Sequence, residues 1–387
     1  MANQETSGTA QDMYRELQLH LDTFPVGFPS TKSGVEIRLL KQLFTPEEAQ
    51  IASKLKFYPL FGDGESLKSI FKRFKKSGLK YSKRELENHL DTMAEKGSIK
   101  LSKNGNQKAY SGALLLIGMF EFQVNKLTKK FTKDMKQYMR EALIYEMAKN
   151  LPLQMRTIPV GVTIDHETEI AHFDDVKNLV ENAEGPFSLA NCVCRQSKNT
   201  LGKICKATSR LDVCIGFGAL AQMYIDMGWA REISRKEAIE TLKKNEEDGL
   251  VFQPGNSQKT DFICSCCGCC CEVILSIKIF PNPGDIISTN HYAKIDSDLC
   301  IACGTCIERC QMEAITLNDD VSSINKEYCI GCGNCVIVCP NEAIELLKKD
   351  KQFTPSPTMT EYYDQNLKAR TQRKQRELRK LVRSKKL

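Results

Sequence analysis

The chain has 387 residues, a length that suggests two or three domains. Its hydrophobic content of 41% and charged content of 27% are typical of a soluble globular protein. No apolar run reaches the about 18 residues that a membrane-spanning helix requires. The N-terminal sequence has neither a basic segment followed by an apolar one nor a twin arginine, so we predict no export signal and no membrane span.

The positive charge is concentrated at the C-terminus. Residues 366–387 hold ten lysines and arginines against one acid, Glu377. Their net charge of +9 leaves −2 for the rest of a chain whose formal total is +7. We predict that residues 351–387 form a basic C-terminal tail that is solvated and partly disordered; the alternatives are that it contacts an acidic protein surface, nucleic acid or anionic lipid.

The N-terminal part contains helix starts and one hairpin. We expect residues 1–30 to be a mobile or partly helical arm. Thr45-Pro46-Glu47-Glu48 has the pattern of a capped helix start, residues 67–76 have a helical pattern, and Ser82-Lys83-Arg84-Glu85 is a second capping box. Asn104-Gly105 then favours a hairpin turn. Helix, turn, helix and hairpin is the order of a winged helix, which we predict for residues 31–120.

The remaining segments give an α+β, multidomain fold class. Residues 121–154 are predicted to be a helical connector, and residues 155–285 a cysteine-rich middle domain of mixed α/β type. Within it we predict a strand from Ile158 to Ile164 and another from Phe187 to Ala190. A third capping box at Ser234 begins a helix that ends near Gly249.

Eighteen cysteines are the most unusual feature of the composition. They occur in tight runs within a long chain that lacks a predicted export signal. Neighbouring thiols at such spacing suit metal binding better than disulfides. We therefore predict metal sites in a protein of a reducing compartment, the cytoplasm.

Eight of the cysteines form two identical runs in residues 290–348. Both runs follow C-x2-C-x2-C-x3-C, and the chain repeats itself after 29 residues: Ile295 corresponds to Ile324 and Ala314 to Ala343. This spacing is that of a two-cluster 4Fe-4S ferredoxin, in which the fourth cysteine of each run serves the other cluster. One predicted ligand set is Cys300, Cys303, Cys306 and Cys339; the other is Cys329, Cys332, Cys335 and Cys310. One departure from the ferredoxin pattern is Gln311, where the first run would carry proline.

The other ten cysteines lie in the middle domain. They are Cys192, Cys194, Cys205 and Cys214, followed by Cys264, Cys266, Cys267, Cys269, Cys270 and Cys271. We predict that the first four ligate a further iron–sulfur cluster, and that the later run caps this site, supplies a replacement ligand or holds another cluster. Two alternatives are a structural zinc site and a redox-active thiol or disulfide array.

The chain as a whole resembles a family of anaerobe 4Fe-4S binding proteins. The resemblance rests on Asn191-Cys-Val-Cys-Arg195, the Cys205/Cys214 pair, Gly228-Trp-Ala-Arg231 and the run Phe262–Cys271, followed by the ferredoxin module. It spans most of residues 30–348, and members commonly carry an N-terminal helical domain. The resemblance implies iron–sulfur binding in an anaerobic or low-oxygen cell but no specific reaction.

These motifs favour an electron carrier or electron-transfer subunit over a stand-alone enzyme. The sequence has two complete cluster motifs and no G-x-x-x-x-G-K-[ST] loop. We therefore predict that the protein relays single electrons to or from a partner oxidoreductase. An iron–sulfur oxidoreductase with chemistry at the middle cysteines is one alternative.

The second alternative is a redox-responsive winged-helix regulator that binds DNA. Its candidate phosphate contacts are Lys80, Lys83 and Arg84 at the recognition helix and Lys100, Lys103 and Lys108 in the wing. Four acids lie on the same helix: Glu85, Glu87, Asp91 and Glu95. Because these acids dilute the positive charge, we predict weak duplex binding and favour a protein partner over DNA.

Overall fold

The computed structural model describes residues 10–59, 61–160 and 174–384. The chain divides into two compact units, one formed by residues 1–146 and 370–387 and the other by residues 147–369. Both α-helices and β-strands are present, in agreement with the mixed fold class. This division is coarser than the six segments predicted from the sequence, whose individual boundaries stay predictions. Across the described ranges, every helix is too short or too polar to cross a membrane.

The first unit is mainly helical, with one small sheet. Its helices are α1 (Ala10–Leu21), α2 (Val35–Leu43), α3 (Pro46–Ala52), α4 (Leu67–Lys76), α5 (Lys83–Glu95), α6 (Lys129–Tyr138) and α7 (Ile144–Ala148), the last of which extends two residues into the second unit. Its strands are β1 (Glu65–Ser66), β2 (Ile99–Asn104) and β3 (Gln107–Gly112), in the order β1-β3-β2. A 3-10 turn occupies Glu121–Gln123 and a π-helical turn occupies Met139–Leu143, whereas Leu115–Met119 is irregular, with non-helical backbone angles at Leu116, Ile117 and Gly118.

Two helices begin where the sequence predicts. The Thr45 hydroxyl accepts a hydrogen bond from the Glu48 N–H at 3.2 Å, and the Glu48 carboxylate accepts one from the Thr45 N–H at 2.8 Å. Ser82 and Glu85 make the same reciprocal pair at the start of α5. The hairpin β2–β3 follows and turns at Gly105, which has a φ of 57°. The predicted element order is therefore observed, while the winged-helix assignment stays a prediction.

The N-terminal segment is partly helical, one of the two forms expected of it, but its helix is packed rather than mobile. Helix α1 buries Tyr14, Leu17 and Leu21, which lie on one face at helical spacing. The Tyr14 hydroxyl also donates a hydrogen bond to the Phe44 carbonyl at 2.8 Å. Residues 10–21 are thus part of the hydrophobic core of the first unit.

The basic tail also differs from expectation, because residues 359–384 form one helix, α15 (Met359–Ser384). The guanidinium of Arg370 is buried and pairs with Glu146 at 2.7 Å and with Asp22 at 2.5 Å. Arg373 pairs with Glu146 at 2.5 Å, and Lys374 pairs with Asp22 at 2.6 Å. Part of the predicted basic surface is therefore neutralised by acids of the first unit.

The segment predicted as a helical connector, residues 121–154, contains the helices α6 and α7. Helix α6 buries Phe131, Met135 and Tyr138 and packs against α2. Arg38 of α2 pairs with Asp134 of α6 at 3.0 Å. This part of the segment is an element of the core of the first unit.

The second unit is built on a five-stranded antiparallel sheet with the order β6-β4-β5-β8-β7. Its strands are β4 (Phe187–Asn191), β5 (Asp212–Phe217), β6 (Ala230–Ile233), β7 (Val251–Pro254) and β8 (Phe262–Cys266). Its helices before the ferredoxin module are α8 (Val176–Glu181), α9 (Val193–Thr200), α10 (Gly218–Asp226), α11 (Arg235–Glu247), α12 (Glu272–Ile277) and α13 (Pro283–Ile286). Apolar side chains of the sheet, α8 and α11 form its core.

Two of the middle-domain expectations agree with the structure. The strand predicted at Phe187 is β4, and Ser234 caps α11 by accepting a hydrogen bond from the Glu237 N–H at 3.1 Å. The strand predicted from Ile158 is described only to residue 160. There the Ile158 N–H donates to the Phe252 carbonyl at 3.2 Å as an isolated bridge. Residues 161–164 lie outside the described residues.

The C-terminal part of the second unit has two related halves. Strand β9 (His291–Ile295) pairs antiparallel with β12 (Ile344–Lys348), and β10 (Ile315–Asn318) pairs with β11 (Val321–Ile324). Helix α14 (Thr305–Arg309) lies between β9 and β10. The cysteine loops lie between these elements, and each small sheet pairs a strand of the first half of the repeat with a strand of the second half.

This module is joined to the five-stranded sheet by polar contacts. The buried Asn334 amide donates to the Gly249 carbonyl at 3.1 Å, and Arg309 donates to the Glu246 carbonyl at 2.6 Å. The N–H of Val160 donates to the Cys332 carbonyl at 3.0 Å. These contacts pair buried polar groups of the ferredoxin module with those of the part that contains the five-stranded sheet. The two parts belong to one compact unit.

Candidate metal centres

Each half of the repeat contributes to both cavities of the ferredoxin module. The first cavity is lined by Cys300, Cys303, Cys306 and Cys339. The second is lined by Cys310, Cys329, Cys332 and Cys335. The structure therefore brings together the two crossed sets of four thiols that the sequence predicts. The lining also includes apolar residues, among them Ile344 in the first cavity and Ile315 in the second, and polar residues, among them Ser322 in the first and Asn334 in the second.

Backbone N–H groups are directed at the cysteine sulfurs. The Ala314 N–H donates to Cys310 Sγ at 3.3 Å, and the Ala343 N–H donates to Cys339 Sγ at 3.2 Å. The residues just before these alanines, Glu313 and Glu342, have φ values of 57° and 53°. This conformation is uncommon for residues other than glycine, and it occurs at equivalent positions of the repeat. Hydrogen bonds to sulfur are one determinant of cluster reduction potential.

The two cavities differ in exposure. Cys303 in the first is exposed, and next to it Ile301 is 58% exposed. The side-chain and backbone hydrogen bonds of Thr305 lower the pKa of the Cys303 thiol below its ordinary value. In the second cavity, burial raises the pKa of Cys332 to about 12. The first cavity therefore lies closer to solvent than the second.

Six of the middle cysteines are linked in a closed sequence, because each thiol perturbs the pKa of the next, and we call this group the six-thiol ring. Its members in order are Cys192, Cys194, Cys271, Cys266, Cys264 and Cys214, and Cys214 closes the ring on Cys192. The fold explains part of this order. The register of β5 against β8 pairs Ile215 with Ile263, so the next pair in that register is Cys214 with Cys264. Cys264 and Cys266 lie two residues apart on β8 and therefore on one face.

The remaining four middle cysteines form a tighter group, the four-thiol cluster. Its members are Cys205, Cys267, Cys269 and Cys270, whose sulfurs all lie within 4.8 Å of one another. The separation of Cys205 Sγ from Cys267 Sγ is 3.7 Å, and that from Cys269 Sγ is 3.8 Å. The sulfurs of Cys269 and Cys270 are 3.5 Å apart.

This arrangement corrects the grouping inferred from the sequence. Cys205 was expected to join Cys192, Cys194 and Cys214, but it lies in the four-thiol cluster. Cys192 and Cys194 were expected to follow one side of an extended chain. Instead Cys192 caps α9 and Cys194 lies in its first turn. Cys266 and Cys267 belong to different groups, as the alternation of an extended chain predicts, and so do Cys270 and Cys271; the adjacent Cys269 and Cys270 both belong to the four-thiol cluster.

Arg195 supplies positive charge to both groups of thiols. Burial lowers the pKa of its guanidinium, but the negative charge of Cys192, Cys267 and Cys214 raises that pKa well above its ordinary value. The residue is 1% exposed, and its buried Nε and Nη1 have no hydrogen-bond partner among the residues that the structure describes. A buried cation with free donors is suited to an anionic metal–thiolate group.

Gln311, the departure from the ferredoxin pattern, contacts the four-thiol cluster. Its side-chain Oε1 accepts a hydrogen bond from the Gly268 N–H at 2.8 Å. Gly268 lies between two members of the four-thiol cluster, and Gln311 follows Cys310 of the second cavity. The sequence singled out Gln311 but could not assign this contact, because its partner lies 43 residues away.

A comparison with known families identifies one part of the chain. Residues 293–346 match the family described as 4Fe-4S dicluster domain. No curated protein and no solved structure matches the chain. The chain therefore contains an iron–sulfur-binding domain of the dicluster class, and the four-thiol cluster is a further candidate metal site outside the matched residues.

Proposed function

We propose that the protein relays single electrons through two 4Fe-4S clusters to or from a partner oxidoreductase. One cluster is held by the thiols of the first cavity and the other by those of the second. The observation that carries this proposal is that each cavity is lined by four cysteines in the crossed pattern of a two-cluster ferredoxin. The match to a dicluster domain supports the same chemistry.

The exposure of the first cavity supports it as the place where electrons enter or leave the protein. Cys303 is exposed, and Leu299 and Ile301 beside it are 49% and 58% exposed. A redox partner that covers this surface approaches the first cluster. The second cluster then lies on the side of the five-stranded sheet, where the Val160 N–H contacts the Cys332 carbonyl.

A further iron–sulfur cluster in the six-thiol ring extends the relay. The ring is continuous with the sheet to which the ferredoxin module is joined. Arg195 provides a buried positive charge that offsets thiolate charge there. Six thiols exceed the four that one 4Fe-4S cluster needs, so the ring has enough ligands for a complete cluster.

Anaerobic purification followed by iron and sulfide analysis tests the proposal. We expect at least eight iron atoms per chain and, after reduction, EPR signals from 4Fe-4S clusters that are reoxidised by a one-electron acceptor. Fully reconstituted protein with four iron atoms or fewer would refute the two-cluster assignment. Clusters that bind but cannot be reduced and reoxidised would refute the relay and favour a purely structural role.

The contacts of the β2–β3 hairpin weigh against the DNA-binding alternative. Lys100 is 4% exposed and donates to the Tyr58 carbonyl, and Lys108 pairs with Asp91 at 2.6 Å. Neither of these wing lysines is placed as the phosphate contact that the regulator hypothesis requires. Lys83 and Arg84 are exposed. A protein partner for the first unit therefore fits better than duplex DNA.

A further inference from the structure

The distances within the four-thiol cluster are those of a single-ion site. A zinc ion bound by four thiolates at about 2.3 Å in a tetrahedron places the sulfurs about 3.8 Å apart. The sulfur separations of 3.7 Å, 3.8 Å and 3.5 Å quoted above lie close to this value, and Cys267 Sγ is 3.8 Å from Cys269 Sγ. A 4Fe-4S cube separates its thiolates further, because four iron atoms lie between them.

The ferredoxin module provides an internal comparison. Among the residues that the structure describes, the four-thiol cluster is the one group of three or more metal-binding side chains whose ligand atoms all lie within 4.8 Å. The eight cysteines around the two cavities do not reach this mutual distance, although they have the sequence spacing of cluster ligands. The six-thiol ring does not reach it either, so the two groups of middle cysteines differ in geometry.

Charge and hydrogen bonding around the four-thiol cluster also fit a tetrathiolate ion. Four thiolates and one divalent cation carry a net charge of −2, and two cations lie beside them. Arg195 faces Cys267, and Lys198 faces Cys270 and Cys269. The backbone N–H of Lys206 donates to Cys269 Sγ at 3.3 Å. Such contacts orient the ligands of a metal site and stabilise their negative charge.

We propose that the four-thiol cluster binds one zinc ion, separate from every iron–sulfur cluster of the chain. All four positions of the tetrahedron are filled by protein thiolates, which is the donor set of a structural rather than a catalytic zinc site. The ion ties the loop that carries Cys205 to the run that carries Gly268. It thereby holds that run against Gln311 of the ferredoxin module. The proposal does not depend on the electron relay.

Two matched variants of the full chain test the assignment. Cys269→Ala removes one thiol of the four-thiol cluster, and Cys264→Ala removes one thiol of the six-thiol ring; both residues are partly exposed. Protein produced with iron and zinc in the medium and purified anaerobically is analysed for both metals. We expect one zinc per chain in the unchanged protein, loss of that zinc with unchanged iron in Cys269→Ala, and unchanged zinc in Cys264→Ala.

Zinc K-edge absorption spectroscopy of the unchanged protein gives a second readout that does not need either variant to fold. We expect four sulfur neighbours at about 2.3 Å. Oxygen or nitrogen neighbours, or the absence of stoichiometric zinc, would overturn the proposal. Loss of about four iron atoms in Cys269→Ala, or a mononuclear iron component in the Mössbauer spectrum that this variant removes, would overturn it in favour of iron.

Discussion

The contact between Gly268 and Gln311 leads to a quantitative prediction for Gly268→Ala. A Cβ atom at position 268 would lie 1.9 Å from the Gln311 carbonyl oxygen and 2.8 Å from its carbonyl carbon. Real Cβ atoms do not approach backbone atoms closer than 3.0 Å, so one of the two segments must move by about 1 Å. The atoms in contact belong to the backbone of both segments, next to cysteines, so a change of side-chain rotamer cannot relieve the contact.

The free energy follows from two contributions. Overpacking of a closely packed site costs typically about 1–3 kcal/mol. The displacement also breaks or weakens the hydrogen bond from the Gly268 N–H to Gln311 Oε1, which contributes about 0.5–1.5 kcal/mol. We therefore expect the free energy of unfolding of the second unit to fall by roughly 2–4 kcal/mol.

Anaerobic thermal or denaturant unfolding of the cluster-loaded protein measures this loss. The matched control is Gly228→Ala, which adds the same methyl group in the same unit but meets no atom within 4 Å. Its cost comes from the φ of 68° alone and is about 1–2 kcal/mol. Because Gln311 follows Cys310, Gly268→Ala should also shift the reduction potential of one ferredoxin cluster, whereas Gly228→Ala should not. Equal stability losses and unchanged potentials in both variants would refute the reasoning.

Two further predictions concern the ligand sets and the first unit. If the clusters take crossed ligands, Cys339→Ser combined with Cys303→Ser should remove about four iron atoms, no more than either change alone, whereas Cys339→Ser combined with Cys332→Ser should remove about eight. Iron analysis and EPR of the reconstituted variants measure this loss. The opposite result, about eight atoms lost in the first pair and about four in the second, would mean that each run holds its own cluster. We expect the protein to bind duplex DNA only weakly at physiological salt, with little change in affinity when Lys83 and Arg84 are replaced by Glu. Nanomolar, sequence-specific binding that this double change abolishes would support the DNA-binding regulator instead.

The sequence was sufficient for features that depend on short-range spacing. The helix starts at Thr45 and Ser82 follow from side chains three residues apart that satisfy free N–H groups of the first turn. The two cysteine runs are equally local, because three thiols of each set lie within seven residues. The crossed fourth ligand could also be anticipated, because in two-cluster ferredoxins the fourth cysteine of each run serves the other cluster. The structure lines each cavity with the expected four cysteines.

The N- and C-terminal segments needed the tertiary structure. A single charge-rich stretch such as residues 366–387 has the composition of a solvated tail. In the structure the acids Asp22 and Glu146 pair with Arg370, and residues 22 and 370 are far apart in the sequence. Helix α1 likewise depends on burial of its apolar face against distant elements. Composition does not contain these partners, so the sequence favoured a solvated, partly disordered tail at the C-terminus and left a mobile and a partly helical arm as alternatives at the N-terminus.

The sequence by itself determined that this chain carries iron–sulfur chemistry, because four-cysteine runs at fixed spacing form one side of a cluster site without help from the rest of the fold. Only the tertiary structure decided how the ten middle cysteines divide. Strand pairing of β5 with β8 brings Cys214 to Cys264, and a loop carries Cys205 to the other side of the run. Those pairs join thiols 50 or more residues apart, and of the ten middle cysteines only Cys205, Cys267, Cys269 and Cys270 have sulfurs that all lie within 4.8 Å of one another.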